Sequence, residues 1–145
     1  MAIFSLLVTC ARAQDKAHVS AIIDGKKLQF APEIEQKLAT DFIILLENCR
    51  DASVNDGNTN QPRFQDAEKH SHLTIIFAKR QSVEVPNVEA KVEVDEMVVT
   101  LPLSSGVIWV HSDQDTSHFA KWSSYDTYQE IQRILKDAQK PVLSQ

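Results

Sequence analysis

Apolar residues in this chain recur on two different periods, and the switch between them divides it into strands and helices. From His18 to Phe30 the period is two. Val19, Ala21 and Ile23 fall at every second position, and Asp24-Gly25 supplies the positive φ angles of a two-residue hairpin turn. Pairing across that turn sets Ile23 against Lys26, Ala21 against Leu28 and Val19 against Phe30, with Ser20 and Gln29 on the opposite face. At Pro32 the period lengthens. Ile34, Leu38, Phe42, Leu45 and Cys49 follow at spacings of three and four, which predicts an amphipathic helix opened by proline and packed on a sheet. Glu33, Glu35, Gln36, Lys37 and Asp41 lie mostly off its stripe.

Residues 51–65 are polar, and Asn55-Asp56-Gly57-Asn58 and Pro62 favour turns, so a long loop is expected there. Beyond it the period of two returns. Leu73, Ile75 and Phe77 alternate with Thr74, Ile76 and Ala78, and the signal runs through Val83 and Val85 to Pro86-Asn87. Ala90, Val92 and Val94 form the next run. Asp95-Glu96 reads as a turn, after which Met97, Val99, Leu101 and Leu103 share a face. Pro102, unable to donate to a ladder, predicts that this strand ends at a sheet edge. Val107, Trp109 and His111 alternate with Ile108 and Val110, and the chain returns from 117 to 122. A second helix follows, capped by Ser124 or Asp126, with Thr127 and Glu130 fitting a capping box and Tyr128, Ile131, Leu135 and Ala138 on its buried face. The expected architecture is α+β: a two-layer sandwich, a mainly antiparallel sheet of about six strands with two helices on one face.

Composition bounds the size of this fold without changing it. With 145 residues, 43% of them hydrophobic, there is enough apolar material for one domain. The net charge of −5 is spread along the chain, which argues against nucleic acid, a partner that needs clustered Lys and Arg. The three glycines, Gly25, Gly57 and Gly106, are too scattered for a phosphate-binding loop, so no cofactor is expected. Nowhere does an apolar run reach the roughly 18 residues of a transmembrane helix.

The first residues suggest an address. Ala2 to Thr9 is apolar and Ala11-Arg12-Ala13 has the small-x-small form of a signal peptidase site, so 1–13 read as a signal-peptide remnant and 14–145 as a single α+β domain. The expected location is outside the cytoplasm: periplasmic, envelope-associated or secreted. Leu7-Val8-Thr9-Cys10 loosely resembles a lipobox, which would make the protein a lipoprotein. A retained, cytoplasmic chain is the alternative. Cleavage after Ala13 would leave Cys49 as the sole cysteine, which excludes a disulfide framework and suggests a small buried hydrophobe.

Chemistry-bearing patterns are few. His70-Ser71-His72 would place two imidazoles on one side of an extended strand, where they are candidate metal ligands. A third ligand would come from His111, His118, Asp113 or Asp115, giving a metal-dependent hydrolytic site. Asp113 and Asp115 also suit a polar hairpin turn, lacking the further oxygens and the glycine of a calcium loop. Ser104-Ser105-Gly106 has the wrong frame for a nucleophile elbow. Trp122 and Tyr125, near Trp109 and Phe119 in the sequence, form a candidate binding patch if exposed. Two functions follow as expectations. One is a non-catalytic exported binding or structural module of the cell envelope, with a protein or small-molecule partner and a homodimer through the sheet edge near Pro102. The other is a small hydrolase using His70 and His72.

Overall fold

The structure, a computed structural model, describes residues 16–53, 69–86, 88–112, 115–122 and 124–140. The expected leader, most of the polar loop, Asp113 and Pro141 therefore lie outside the described residues. In chain order the elements are β1 (Ala17–Ile23), β2 (Lys26–Gln29), α1 (Pro32–Glu47), β3 (Cys49–Ser53), β4 (His72–Val83), β5 (Val92–Thr100), a 3-10 turn (Leu103–Ser105), β6 (Ile108–Ser112), β7 (Asp115–Trp122) and α2 (Tyr125–Gln139). Seven strands form one sheet in the order β2-β1-β4-β5-β6-β7-β3, antiparallel at every junction. With the two helices this is the expected α+β sandwich.

The first hairpin follows its sequence. Asp24 and Gly25 both have positive φ, 52° and 80°, and the register pairs Ile23 with Lys26, Ala21 with Leu28 and Ser20 with Gln29. β2 stops at Gln29, so the outer backbone of β1 beyond Ser20 has no strand beside it. The first turn of α1 takes that place. Glu35 Oε2 accepts the Val19 N–H at 2.8 Å, and the Gln36 amide both accepts from Ala17 N–H, at 3.2 Å, and donates to Ala17 C=O, at 2.9 Å. Two side chains thus supply what a strand partner would have given.

α1 leaves one edge of the sheet and the chain re-enters at the other, because β2 and β3 are its two outermost strands. Six strand spacings span roughly 29 Å, and a helix of 16 residues is about 24 Å long. Its length therefore suits a crossing of the whole face. Leu38, Phe42, Leu45 and Leu46 are fully buried there against Val19, Leu73, Ile75, Met97 and Phe119. α2 packs mainly on α1, adding Ile131, Ile134 and Leu135 to the same core.

Five expectations are corrected. Cys49 is not on the helix. Asn48 ends α1, its amide donating to Ile44 C=O at 2.7 Å, and Cys49 opens β3 opposite Trp122. Residues 51–53, expected as loop, belong to that strand, whose polar sequence gives no alternation to read. Asp95-Glu96 is not a turn. β5 runs unbroken while its register on β4 jumps from Ile76↔Glu96 to Gln81↔Val94. Val92 and Val94 face the core on one side of this irregularity and Met97 and Val99 on the other, so the change of parity marks a bulge. Arg80 bridges it with a two-pronged ion pair to Asp95, at 2.9 and 2.8 Å. Pro102, finally, lies beyond the end of β5, an interior strand, and not at a sheet edge. The edges are β2 and β3. At the start of α2, Ser124 Oγ donates to Thr127 Oγ1, and Glu130 pairs with Arg133 where a capping box would have turned it back.

Gly106 has a packing reason. Its φ is ordinary, but a Cβ there would collide with the Thr100 carbonyl oxygen.

Candidate functional site

Of the two expected histidines, the face of the sheet away from the helices holds His72. His70 lies in a bend before β4, exposed, and His72 is the first residue of the strand, 6% exposed. The rule that residues two apart share a side of a strand therefore does not reach His70. His72 Nδ1 instead donates to the carbonyl of His70 at 2.6 Å, since a carbonyl can only accept. That bond puts a proton on Nδ1 and, in the neutral ring, leaves the lone pair on Nε2.

His72 pairs with Ile22 on β1 and Thr100 on β5. His111 shares its face but lies in the row Ile76–Glu96–His111–Thr116, four residues further along. That offset is about 13 Å along the strands, far beyond the reach of one metal ion bound at about 2 Å by each imidazole. His111 is engaged locally, its Nδ1 3.2 Å from Thr116 Oγ1. Asp113 lies outside the described residues, as do the side chains of Asp115 and His118. Among the described residues no group of three or more His, Cys, Asp or Glu is placed to hold a metal ion.

Tyr125 opens α2 and is 69% exposed, the most exposed large hydrophobic residue of the described chain. Trp122 is the last residue of β7, paired through its backbone with Cys49; its side chain lies outside the described part. Trp109, by contrast, is buried with Val98 in a small cluster on the face opposite the helices. Cys49 is 1% exposed, and burial pushes its thiol up to about 12, which suits packing and not nucleophilic attack. Near the C-terminal end of α1, Glu47, Glu84, Glu89 and Lys91 line a shallow hollow beside the β4–β5 connection.

The polar groups with the most defined geometry sit on α1, and sequence reasoning singled out none of them as functional. Glu35 and Gln36 hold the backbone of β1 as described above. Asp41 is buried, 4% exposed, where α1 meets α2. Its Oδ1 takes an ion pair from Lys37 Nζ at 3.1 Å, and its Oδ2 has no hydrogen-bond partner among the described residues. Burial raises its carboxyl above the ordinary value of 3.8; Lys37 offsets part of this and Glu130 of α2 adds to it. The sequence does carry a signal for Asp41. It stands three residues after Leu38 and four before Leu45, and its burial corrects the expectation that it lies off the stripe.

No helix among the described residues is long and apolar enough to cross a membrane. Comparison with protein-family models, with curated proteins and with solved structures finds no match to this chain.

Proposed function

We propose that the protein is a non-catalytic binding or structural module, exported to the cell envelope or beyond, that contacts a protein or small-molecule partner through the start of α2. The exposed Tyr125 ring carries this reading. A large aromatic left in water at a helix terminus is a ready anchor, able to bury area at little cost in side-chain freedom. The export half rests on the apolar 2–9 stretch and Ala11-Arg12-Ala13. A photo-crosslinking residue placed at 125 in the native host should trap a partner that the same probe at Lys26, on the far edge of the sheet, does not. Identical trapping at both sites, or none at either, contradicts the reading. Intact mass tests the address: a chain beginning at Gln14 outside the cytoplasm supports it, a lipid-sized addition on Cys10 makes it a lipoprotein, and the full-length unmodified chain in the cytoplasm overturns it.

A homodimer would use β2 or β3, the outer strands. Exposed Lys26 and Lys27 guard the β2 edge, which favours β3. A monomeric mass at high micromolar concentration removes this assembly.

The metal-dependent hydrolase is the second reading, favoured by one observation. The bond from His72 Nδ1 to a backbone carbonyl is the orientation that metal-ligating histidines use to present Nε2. Protein purified without chelator that carries no stoichiometric zinc, manganese or iron sinks it.

A further inference from the structure

Helix α1 is gripped on two sides, and only one grip is complete. Toward β1, Glu35 and Gln36 satisfy the strand's backbone. Toward α2, the Asp41 carboxyl is taken out of water with half of its hydrogen-bonding capacity unused. We propose that Asp41 is a proton-operated joint: α2 is held tightly on α1 when its carboxyl is protonated, and that seam loosens when it is ionised.

The groups around Asp41 are few. Lys37, one turn earlier on its own helix, supplies the ion pair found among the described residues, and its side chain is 48% exposed, so water shares its charge. Glu130 faces it from α2 and brings a second negative charge, with Arg133 held to Glu130 on its outer side. From the sheet, the core-facing positions of the strands packed on α1 include Val19, Ala21, Leu73, Ile75, Ser117 and Phe119, none of them titratable. Glu130 has Arg133 as its own partner, so the half-solvated Lys37 is the cation left to Asp41. An ionised carboxylate that cannot complete its hydrogen bonds in a dry site is costly, and the cheapest remedy is a proton. Protonation removes the repulsion with Glu130 and turns one acceptor-only oxygen into a donor.

The sign follows from linkage. A carboxyl raised above its ordinary value of 3.8 in the fold contributes stability that is fully present below that value. The contribution is lost as the pH rises through the raised one. Burial is the main cause of the rise, and the part that comes from Glu130 belongs to the docked α2. Glu130, held below the ordinary range by Arg133, works in the opposite direction at lower pH and is present in any Asp41 variant too.

The test is hydrogen exchange of the α2 amides in the full chain at about pH 5 and about pH 7.5, corrected for intrinsic rates, in wild type and Asp41→Asn. In wild type the α2 protection factors should be higher in acid, while Asp41→Asn keeps one level of protection at both pH values. The same pH dependence in both proteins overturns the proposal. Should Asp41→Asn fail to fold, carbon-13 titration of the wild-type aspartate carboxyls decides: one resonance must titrate above the ordinary aspartate range and respond to Glu130→Gln. If every carboxyl titrates at or below that range, the joint does not exist.

Discussion

The two polar seams of α1 differ in what they leave unsatisfied. At the β1 seam Glu35 and Gln36 hold backbone groups that a sheet edge would otherwise expose, at donor–acceptor distances of 2.8 to 3.2 Å, and Glu35 also meets the His18 ring at 2.8 Å. At the α2 seam a buried carboxylate, paired with the half-exposed Lys37, lies near a second acid that is held by Arg133. The same helix, with the same apolar core beneath it, therefore has one joint whose strength is independent of Asp41 and one that a proton sets. Buried polar groups specify geometry when they are satisfied and become responsive when they are not.

The comparison breaks most severely if the core under both seams is removed. Phe42, fully buried beneath α1, should cost about 3–5 kcal/mol on replacement by alanine, read from urea unfolding, and should weaken both joints together. Gln36→Ala is narrower. It strips Ala17 of both backbone bonds and should cost about 1–3 kcal/mol, with increased exchange of the β1 amides and little change in α2. Asp41→Asn should have the opposite sign, gaining on the order of 1 kcal/mol at neutral pH. That gain shrinks as the pH falls toward the ordinary aspartate value, because the wild type then takes up its proton. Tyr125→Ala sharpens the contrast from outside both seams. Its ring lies in water, so stability should stay within about 0.5 kcal/mol of wild type, while crosslinking at that end should fall.

Much of this frame is legible in the sequence, and what is not has physical reasons. Asp24-Gly25 fixes the first turn and its register, because few other pairs accept two positive φ angles. The stripe from Ile34 to Leu45 announces α1, and Ile131 and Leu135 announce α2. β3 is hidden because Arg50, Asp51 and Ser53 carry no apolar alternation; their partner β7 defines them. The shift at Asp95-Glu96 misleads because a bulge and a turn leave the same change of parity in the pattern. Pro102 misleads too: a proline just past a strand's end needs no edge.

The histidine pair shows the limit of spacing rules. His-x-His implies a shared side only within an extended strand, and His70 stands one bend short of it. Glu35 and Gln36 show another limit. Their role exists because β2 is shorter than β1, a fact of topology that leaves no mark on the helix. Asp41 reads as lying off the stripe, and Glu130, the acid that raises it from α2, is far along the chain.

The most direct measurement of the contrast between the seams is the unfolding free energy of wild type, Gln36→Ala and Asp41→Asn in one neutral buffer. Gln36→Ala must come out less stable than wild type and Asp41→Asn more stable. If Asp41→Asn is destabilised as Gln36→Ala is, the ionised carboxylate is a satisfied part of the core, and the difference between the two seams is contradicted.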